Sequence, residues 1–463
     1  MFYSVLYNEN CLANLLCFCI FIFFLVGNLY YLNGINFINM SQEKTRLVVK
    51  SGNIFDSVNG LLKENQTIII QGKKILWCDE DDAFEKESND KVIDVNGKTI
   101  IPGMIDCHVH LENTAEPDYE RKYLRTTKAM WHYYALQNAQ RHLINGFTCL
   151  RDCGSLPEWA PSLRRIFDIA ALAGPRILIA NLPITQWGNQ EEIGPIEVIE
   201  YYGKLTEVKT GIDGIKHAVR DRKRSGANFI KTITTGGVLH GISSKVDTSL
   251  FLNDELLAMT EEAHRLEMHV ASHAHGREGI YKAVQANVDT IEHGTLIDEE
   301  TIDLMIKKHT FLIPTQTAGF GISKPDILKQ LPPEVEKKIK QIQQQMINNH
   351  KIAFEKGVLF AIGTDAGTPG NPHGTTIHEI INMIENVGMT TSQALQAATI
   401  QGAKAIKMEK QIGSIEKDKL ADLVVCNGNP IENISLLKDP RNLLYVIKDG
   451  KIMAKKGKIT FFN

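Results

Sequence analysis

The 463-residue chain is long enough to bury a large core, and its 43% hydrophobic and 23% charged content is ordinary for a globular protein. A formal net charge of -3 and an isoelectric point near 6.6, with no Lys/Arg cluster, give no electrostatic case for nucleic acid as a partner. The eight cysteines show no disulfide-framework spacing and suit a reducing compartment.

Residues 11–32 form an apolar run long enough to span a bilayer. No Lys or Arg precedes it and no small-residue cleavage site follows, which disfavours a cleaved signal peptide. With Lys44 and Arg46 on its C-terminal side, an anchor here leaves the rest of the chain in the cytoplasm. Translation from Met40 is the other reading, and it places the body in the cytoplasm as well. Residues 1–39 are therefore set apart as an anchor or a mis-assigned start.

From residue 47 to 95 short alternating strands are punctuated by turns at Ser51-Gly52-Asn53, Val58-Asn59-Gly60 and Gln71-Gly72-Lys73. The acidic run Asp79-Glu80-Asp81-Asp82 reads as a solvated loop. Strands then recur at 99–111, 147–153, 176–184, 229–235, 269–275, 290–294, 311–316 and 359–367. Most intervals carry helical periodicity, as at 128–144, 253–267 and 332–356. This α/β rhythm has the size of a (β/α)8 TIM-like barrel, assigned to 99–404. The polar stretches 191–215 and 319–345 read as elaborations at its rim. Past residue 401 short strands return, with a hairpin signal at Lys448-Asp449-Gly450-Lys451. Segments 40–98 and 405–463 are expected to pair into a small β-sandwich.

In a barrel, catalytic groups stand at the C-terminal ends of strands. The first strand ends in His108-Val109-His110, whose alternate residues share a face about 7 Å apart and can grip one divalent ion. Strand four carries Lys231, strand five His273 and His275, strand six His293 and strand eight Asp365. Each alone has a plainer reading: a snorkelling lysine, satisfied core histidines, an aspartate that organises a turn. Their joint position at strand ends points to a metal centre instead. Cys149-x-x-x-Cys153 reads as two small residues of a buried strand rather than a metal pair. An amine buried in the strand around Lys231 can react with carbon dioxide, giving a two-oxygen anionic ligand.

The segments PGMIDCHVH, TCLRDCG, FIKTITTGGV, SHAHG, IEHG, GTDAGTP and KLADLVV together resemble the amidohydrolase superfamily. Within it they are similar to the imidazolonepropionase-like branch that includes Xaa-Pro and Xaa-Arg dipeptidases, over about residues 47–457. The resemblance implies two divalent ions, zinc by default, with manganese or iron able to take the same positions. It implies His108 and His110 on one ion, joined by Asp365, and His273 and His293 on the other, with a carbamate on Lys231 bridging the two. His273 is chosen over His275 because the family's ligand precedes the small residue; His275 then contacts substrate or supports a ligand. Asp365 is the expected proton carrier, and His132, His240, His275, Tyr281 and His373 are candidate substrate contacts.

The sequence departs from relatives that carry Gly-Gly-His after strand three: here Thr185-Gln186-Trp187-Gly188-Asn189-Gln190 has no histidine. The segment after Gly237, VLHGISSKVD, also departs from the shorter loops expected there. The implied function is hydrolysis of an amide bond in a dipeptide or N-acyl amino acid, a small-molecule substrate, by a homo-oligomer. Cyclic-amide hydrolysis of the imidazolonepropionase type is the enzymatic alternative, weakened by His273-Ala274-His275-Gly276 where that enzyme favours His-x-x-Glu. A catalytically silent barrel kept for binding is the non-enzymatic one.

Overall fold

The turn chemistry at the start of the chain builds hairpins. In the computed structural model, which describes residues 45–118, 121–122, 125–187, 206–238, 245–331 and 333–460, β1 (Arg46–Asp56) turns back into β2 (Leu61–Gln71). Asp56 accepts from the amides of Val58 and Asn59 at 3.1 and 3.2 Å, and Gly60 supplies the left-handed φ of 73°. A two-residue loop at Gly72-Lys73 then joins β2 to β3 (Lys74–Glu80). Ser51-Gly52-Asn53, expected as a turn, is instead a bulge inside β1, where the register against β2 shifts on both sides of Gly52. β4 (Lys91–Asp94) and β5 (Thr99–Pro102) lie parallel to β1.

The strand expected at 99–111 is two strands. β5 ends at Pro102, and β6 (Met104–Val109) begins on the far side of Gly103 and pairs with other partners. The two sheets meet too closely for a side chain between them, since a Cβ on Gly103 would stand 2.1 Å from Thr148 Oγ1.

Beyond Gly103 the named strands among the described residues pair in parallel until the chain returns. β6, β7 (Phe147–Asp152) and β8 (Arg176–Ile179) form one arc. β9 (Ile184–Thr185), β10 (Glu207–Val208), β11 (Phe229–Ile233), β12 (His269–Ala274), β13 (Thr290–His293), β14 (Phe311–Ile313) and β15 (Leu359–Phe360) form the other, in the order β10-β9-β11-β12-β13-β14-β15. Backbone bonds join the arcs at both ends. The Asn228 amide, just before β11, donates to Ile179 O at 2.8 Å. The amides of Cys107 and Asp365 donate across to Ile362 O and His108 O at 2.8 and 2.7 Å. Only the first two residues of the strand expected at 359–367 are regular; the rest runs irregularly along β6. Helices cross between successive strands, among them Lys128–Ile144, Asn253–Arg265 and Glu299–Lys308, so the body is α/β. The rim stretch expected at 319–345 is helical, ending in the long helix Pro333–Lys356.

The chain then comes back to its starting sheet. β16 (Leu423–Cys426) pairs antiparallel with β5, Leu423 opposite Pro102 and Cys426 opposite Thr99. β17 (Leu443–Lys448), β18 (Lys451–Lys455) and β19 (Lys458–Ile459) extend it, with Asp449 and Gly450 both left-handed in the hairpin turn. The result is a nine-stranded sheet made from both ends of the chain. It curls, because Ile75 N donates to Lys419 O at 2.9 Å and Ala421 N to Lys73 O at 2.8 Å. Its core is aliphatic: Val49, Ile68, Ile70, Ile100, Val425 and Ile447. Arg176 ties β8 to the sheet through Asp422 and Asp449 at 2.5 and 2.6 Å.

Residues 11–32 lie outside the described residues, as do His240 and Gly188-Asn189-Gln190. Among the described residues no helix is long and apolar enough to cross a membrane.

Candidate active site

Parallel strands aimed the same way deliver their last side chains to one mouth. His108 on β6 and His110 just past its end have ring centroids 5.4 Å apart. Asp365 Oδ1 lies 3.5 Å from His108 Nε2 and 3.2 Å from His110 Nε2. Lys231 Nζ, on β11, is 3.2 Å from His108 Nε2. The His293 ring is 5.2 Å from that of His108 and 4.5 Å from that of His273. His275 stacks on His293 at 4.6 Å with 12° between the planes. All six expected ligands and His275 therefore share one cluster, and Lys231, His273, His275 and His293 are buried within it.

The donor set suits a divalent cation. Ligand atoms of His108, His293 and Asp365 lie within 4.8 Å of one another, as do those of His273, His275 and His293. Nitrogen and oxygen donors of this kind fit zinc, manganese or iron. Burial pushes His108 and His275 down to about 4 and holds His273 and His293 well below the usual imidazole range, which favours neutral rings that keep a lone pair for a cation.

Three of the rings have their other nitrogen paired. His108 Nδ1 donates to Glu292 Oε2 at 2.7 Å, which leaves Nε2 facing the cluster. Thr315 Oγ1 donates to Pro314 O at 2.8 Å and so accepts from His293 Nδ1 at 2.6 Å. His275 Nδ1 pairs with Thr295 Oγ1 at 2.7 Å. Glu292 is fully buried, and burial alone would raise its carboxyl. The equally buried Arg151 guanidinium, 2.6 Å away, and His108 hold it well below the usual carboxylate range. Three residues of the mouth, His293, Thr315 and Asp365, hold left-handed φ values of 72°, 49° and 57°. Such backbone is costly for residues other than glycine and clusters at functional sites.

The remaining candidates scatter. Of the expected substrate contacts, His275 lines the cavity over the cluster. His132 is half-buried, its ring 5.9 Å from that of Trp159, and Tyr281 is half-buried on helix Arg277–Gln285; neither is on the cavity wall. His373 lies behind the wall, with Nδ1 2.9 Å from His142 Nε2 and Nε2 donating to Asn113 O at 3.1 Å. Cys149 packs in the core of β7, whereas Cys153 reaches the cavity beside His108 and Glu292.

Sequence reasoning did not single out Glu292, Arg151, Thr295 or Thr315. The first two sit inside IEHG and TCLRDCG, segments quoted for their neighbours. A carboxylate one residue before a metal-site histidine, in an otherwise apolar strand, was the available signal.

The match to known proteins is broad. The family model described as Amidohydrolase family matches residues 99–453. A crystal structure of a Xaa-Pro dipeptidase with methionine in its active site superposes with a TM-score of 0.79 at 35% identity, covering 88% of this chain and 99% of that one. An ochratoxinase from Aspergillus niger is 26% identical over 376 residues, 77% of this chain and 76% of the relative. An imidazolonepropionase from Treponema denticola is 23% identical over 420 residues, 86% and 94% respectively.

Proposed function

The chain belongs to the amidohydrolase family, in its imidazolonepropionase-like and prolidase-like branch, and is a hydrolase of carbon–nitrogen bonds; from that premise we propose that it cleaves the amide of a dipeptide or N-acyl amino acid at a binuclear metal centre. His108, His110 and Asp365 would hold one divalent ion and His273 and His293 the other, with Lys231, as its carbamate, supplying an anionic oxygen ligand between them. Zinc is the default metal. When bound, such a pair acidifies a water and polarises a carbonyl oxygen. The observation that carries this reading is the convergence of His108, His293 and Asp365 donor atoms within 4.8 Å of one another from three segments far apart in sequence.

The chain's own residues supply the rest. The Asp365 carboxylate takes a proton from the attacking water and passes it to the amide nitrogen as the carbon–nitrogen bond breaks, so that acid and amine leave in balance. Glu292 and Thr315 fix the orientation of His108 and His293 throughout. Leu156, Ile233 and Met346 keep the cavity wall apolar and so strengthen the electrostatics of the centre.

The two parallel arcs are read here as one closed (β/α)8 barrel, with the curled nine-stranded sheet as a small sandwich at its side. The five described cysteines are all free thiols, which suits a cytoplasmic body.

The test is metal content together with turnover of a mixed library of dipeptides and N-acyl amino acids. About two ions per chain and turnover lost on chelation and regained on metal addition support the reading. A chain that binds no ion when supplied with excess divalent metal overturns it.

A further inference from the structure

We propose that the cavity sorts its substrate by polarity: it takes an N-acylated amino acid, with the carboxylate at Lys122 and a large apolar acyl group against the long helix Pro333–Lys356. This deepens the hydrolase reading above and rests on it.

The metal cluster stands between two unlike lobes. One is built by the loops after β6, β7 and β8 and presents Lys122, Trp131, Tyr134, Leu156 and Leu182. The other presents Val238, Ile322, Ile339, Ile342 and Met346, from the segments after β11 and β14. Positions 335, 339, 342 and 346 recur at helical spacing, so one face of the long helix makes this wall. Ile322, Val335 and Ile339 form an apolar cluster of their own, apart from the main core, with Val238 and Leu328 packed on it. An apolar face in a cavity of a folded enzyme is a place for an apolar group of a ligand.

Charge assigns the direction. Among the described lining residues, Lys122 is the one cation on the wall outside the metal cluster. Its Nζ lies 4.9 Å over the Tyr134 ring and 2.5 Å from Glu116 Oε1. The Glu116 side chain is 53% exposed at the rim, and an ion pair open to solvent on that side contributes little net and can exchange for another carboxylate. Before cleavage the one carboxylate of an N-acyl amino acid lies on its amine half; the acyl half gains its own only when water adds and the carbon–nitrogen bond breaks. The amine half thus matches the Lys122 lobe. A free dipeptide would instead drive its ammonium towards the apolar lobe, where the described lining offers no carboxylate. The one extra lining carboxylate, Glu112, is on the other lobe and already accepts from Leu156 N at 2.8 Å and from the Trp159 indole.

The experiment uses the full-length, metal-replete chain with N-acetyl- and N-octanoyl-L-phenylalanine, N-octanoyl-L-phenylalanine amide and the dipeptide Leu-Phe. Octanoyl is expected to exceed acetyl in kcat/KM, and both to exceed the free dipeptide. Lys122→Met should raise KM for the acid by about tenfold with kcat nearly unchanged, leave the amide untouched, and be rescued by Lys122→Arg. Ile342→Ala should shrink the octanoyl preference by about fivefold. A dipeptide turned over faster than octanoyl-phenylalanine, or a Lys122→Met effect equal on acid and amide, overturns the proposal. Calorimetric binding of N-octanoyl-L-phenylalanine to the same variants separates the two levels. If nothing in the series is hydrolysed, the proposed cleavage of dipeptides and N-acyl amino acids fails, while the Lys122 and Ile342 effects on binding still decide the subsite.

Discussion

The nine-stranded sheet and the mouth of the parallel body are equally buried, but with opposite contents. The sheet hides Val49, Ile68, Ile70, Ile100, Val425 and Ile447, aliphatic groups whose removal from water stabilises the fold directly. The mouth hides His108, Lys231, His273, His293, Glu292 and Arg151, groups that cost free energy to bury unless each finds a partner. Asp106, beneath the mouth, accepts from the Thr364 amide and hydroxyl, the His108 amide and the Thr376 hydroxyl, and burial still pushes its carboxyl up to about 7. One region holds the molecule together. The other uses that stability to keep chemistry out of water.

The largest expected effect should fall on function alone. Asp365→Asn should cut kcat by about 10³-fold with the melting temperature close to wild type, because asparagine tolerates the left-handed φ of 57°. Retained turnover would remove Asp365 from the proton path. The reverse dissociation is next. Ile68→Ala in β2, at a site with no exposure, should cost about 3 kcal/mol in denaturant unfolding while kcat/KM per folded molecule stays put. If metal is lost as well, the two regions are not separable in this way.

Glu292→Gln tests the seam between them. It keeps the shape beside His108 and leaves Arg151 unmatched, so chelator competition should show metal held about tenfold or more less tightly. Unchanged affinity would make Glu292 a purely structural partner of Arg151.

The last effect is a pH dependence of stability alone. His269 stacks on Phe229 at 5.0 Å, and burial, with Arg151 nearby, pushes its imidazole down to about 3. An unfolded histidine titrates near 6.5, so below that pH the unfolded chain binds a proton that the folded chain refuses. Stability is therefore full above pH 6.5 and falls as pH drops towards 3, at roughly 1.4 kcal/mol per unit. His269→Phe should reduce the loss between pH 7.5 and 5 by about 2 kcal/mol, measured by urea unfolding at both pH values. An unaltered pH slope would show that His269 is not the group responsible.

Much of this contrast is legible in the sequence. The ligands could be found because strand ends in parallel sheets concentrate chemistry and the histidines interrupt apolar runs. Hairpin turns at Asn59-Gly60 and Asp449-Gly450 could be found because only certain residues accept their backbone. What escaped depends on non-local contacts. Gly103 looks like the interior of one strand, and only the approach of Thr148 makes it the break between two sheets. His132, Tyr281 and His373 have the right chemistry, but nothing local says which face of a helix or loop meets the cavity. The apolar lobe is invisible for the same reason: Ile339, Ile342 and Met346 read as an ordinary amphipathic stripe until Val238 and Ile322 face them.

The pairing of β5 with β16 has a consequence for architecture. Pro102 sits opposite Leu423, so the strands by which the chain departs for the parallel body and comes back are direct neighbours. Topologically, the whole body is a loop inserted between two adjacent strands of the sheet. Its entry and exit are one strand spacing apart, about 5 Å. Anything that fits that gap could be exchanged there without redrawing the sheet, and the body's own ends are close enough to be joined in a rearranged chain.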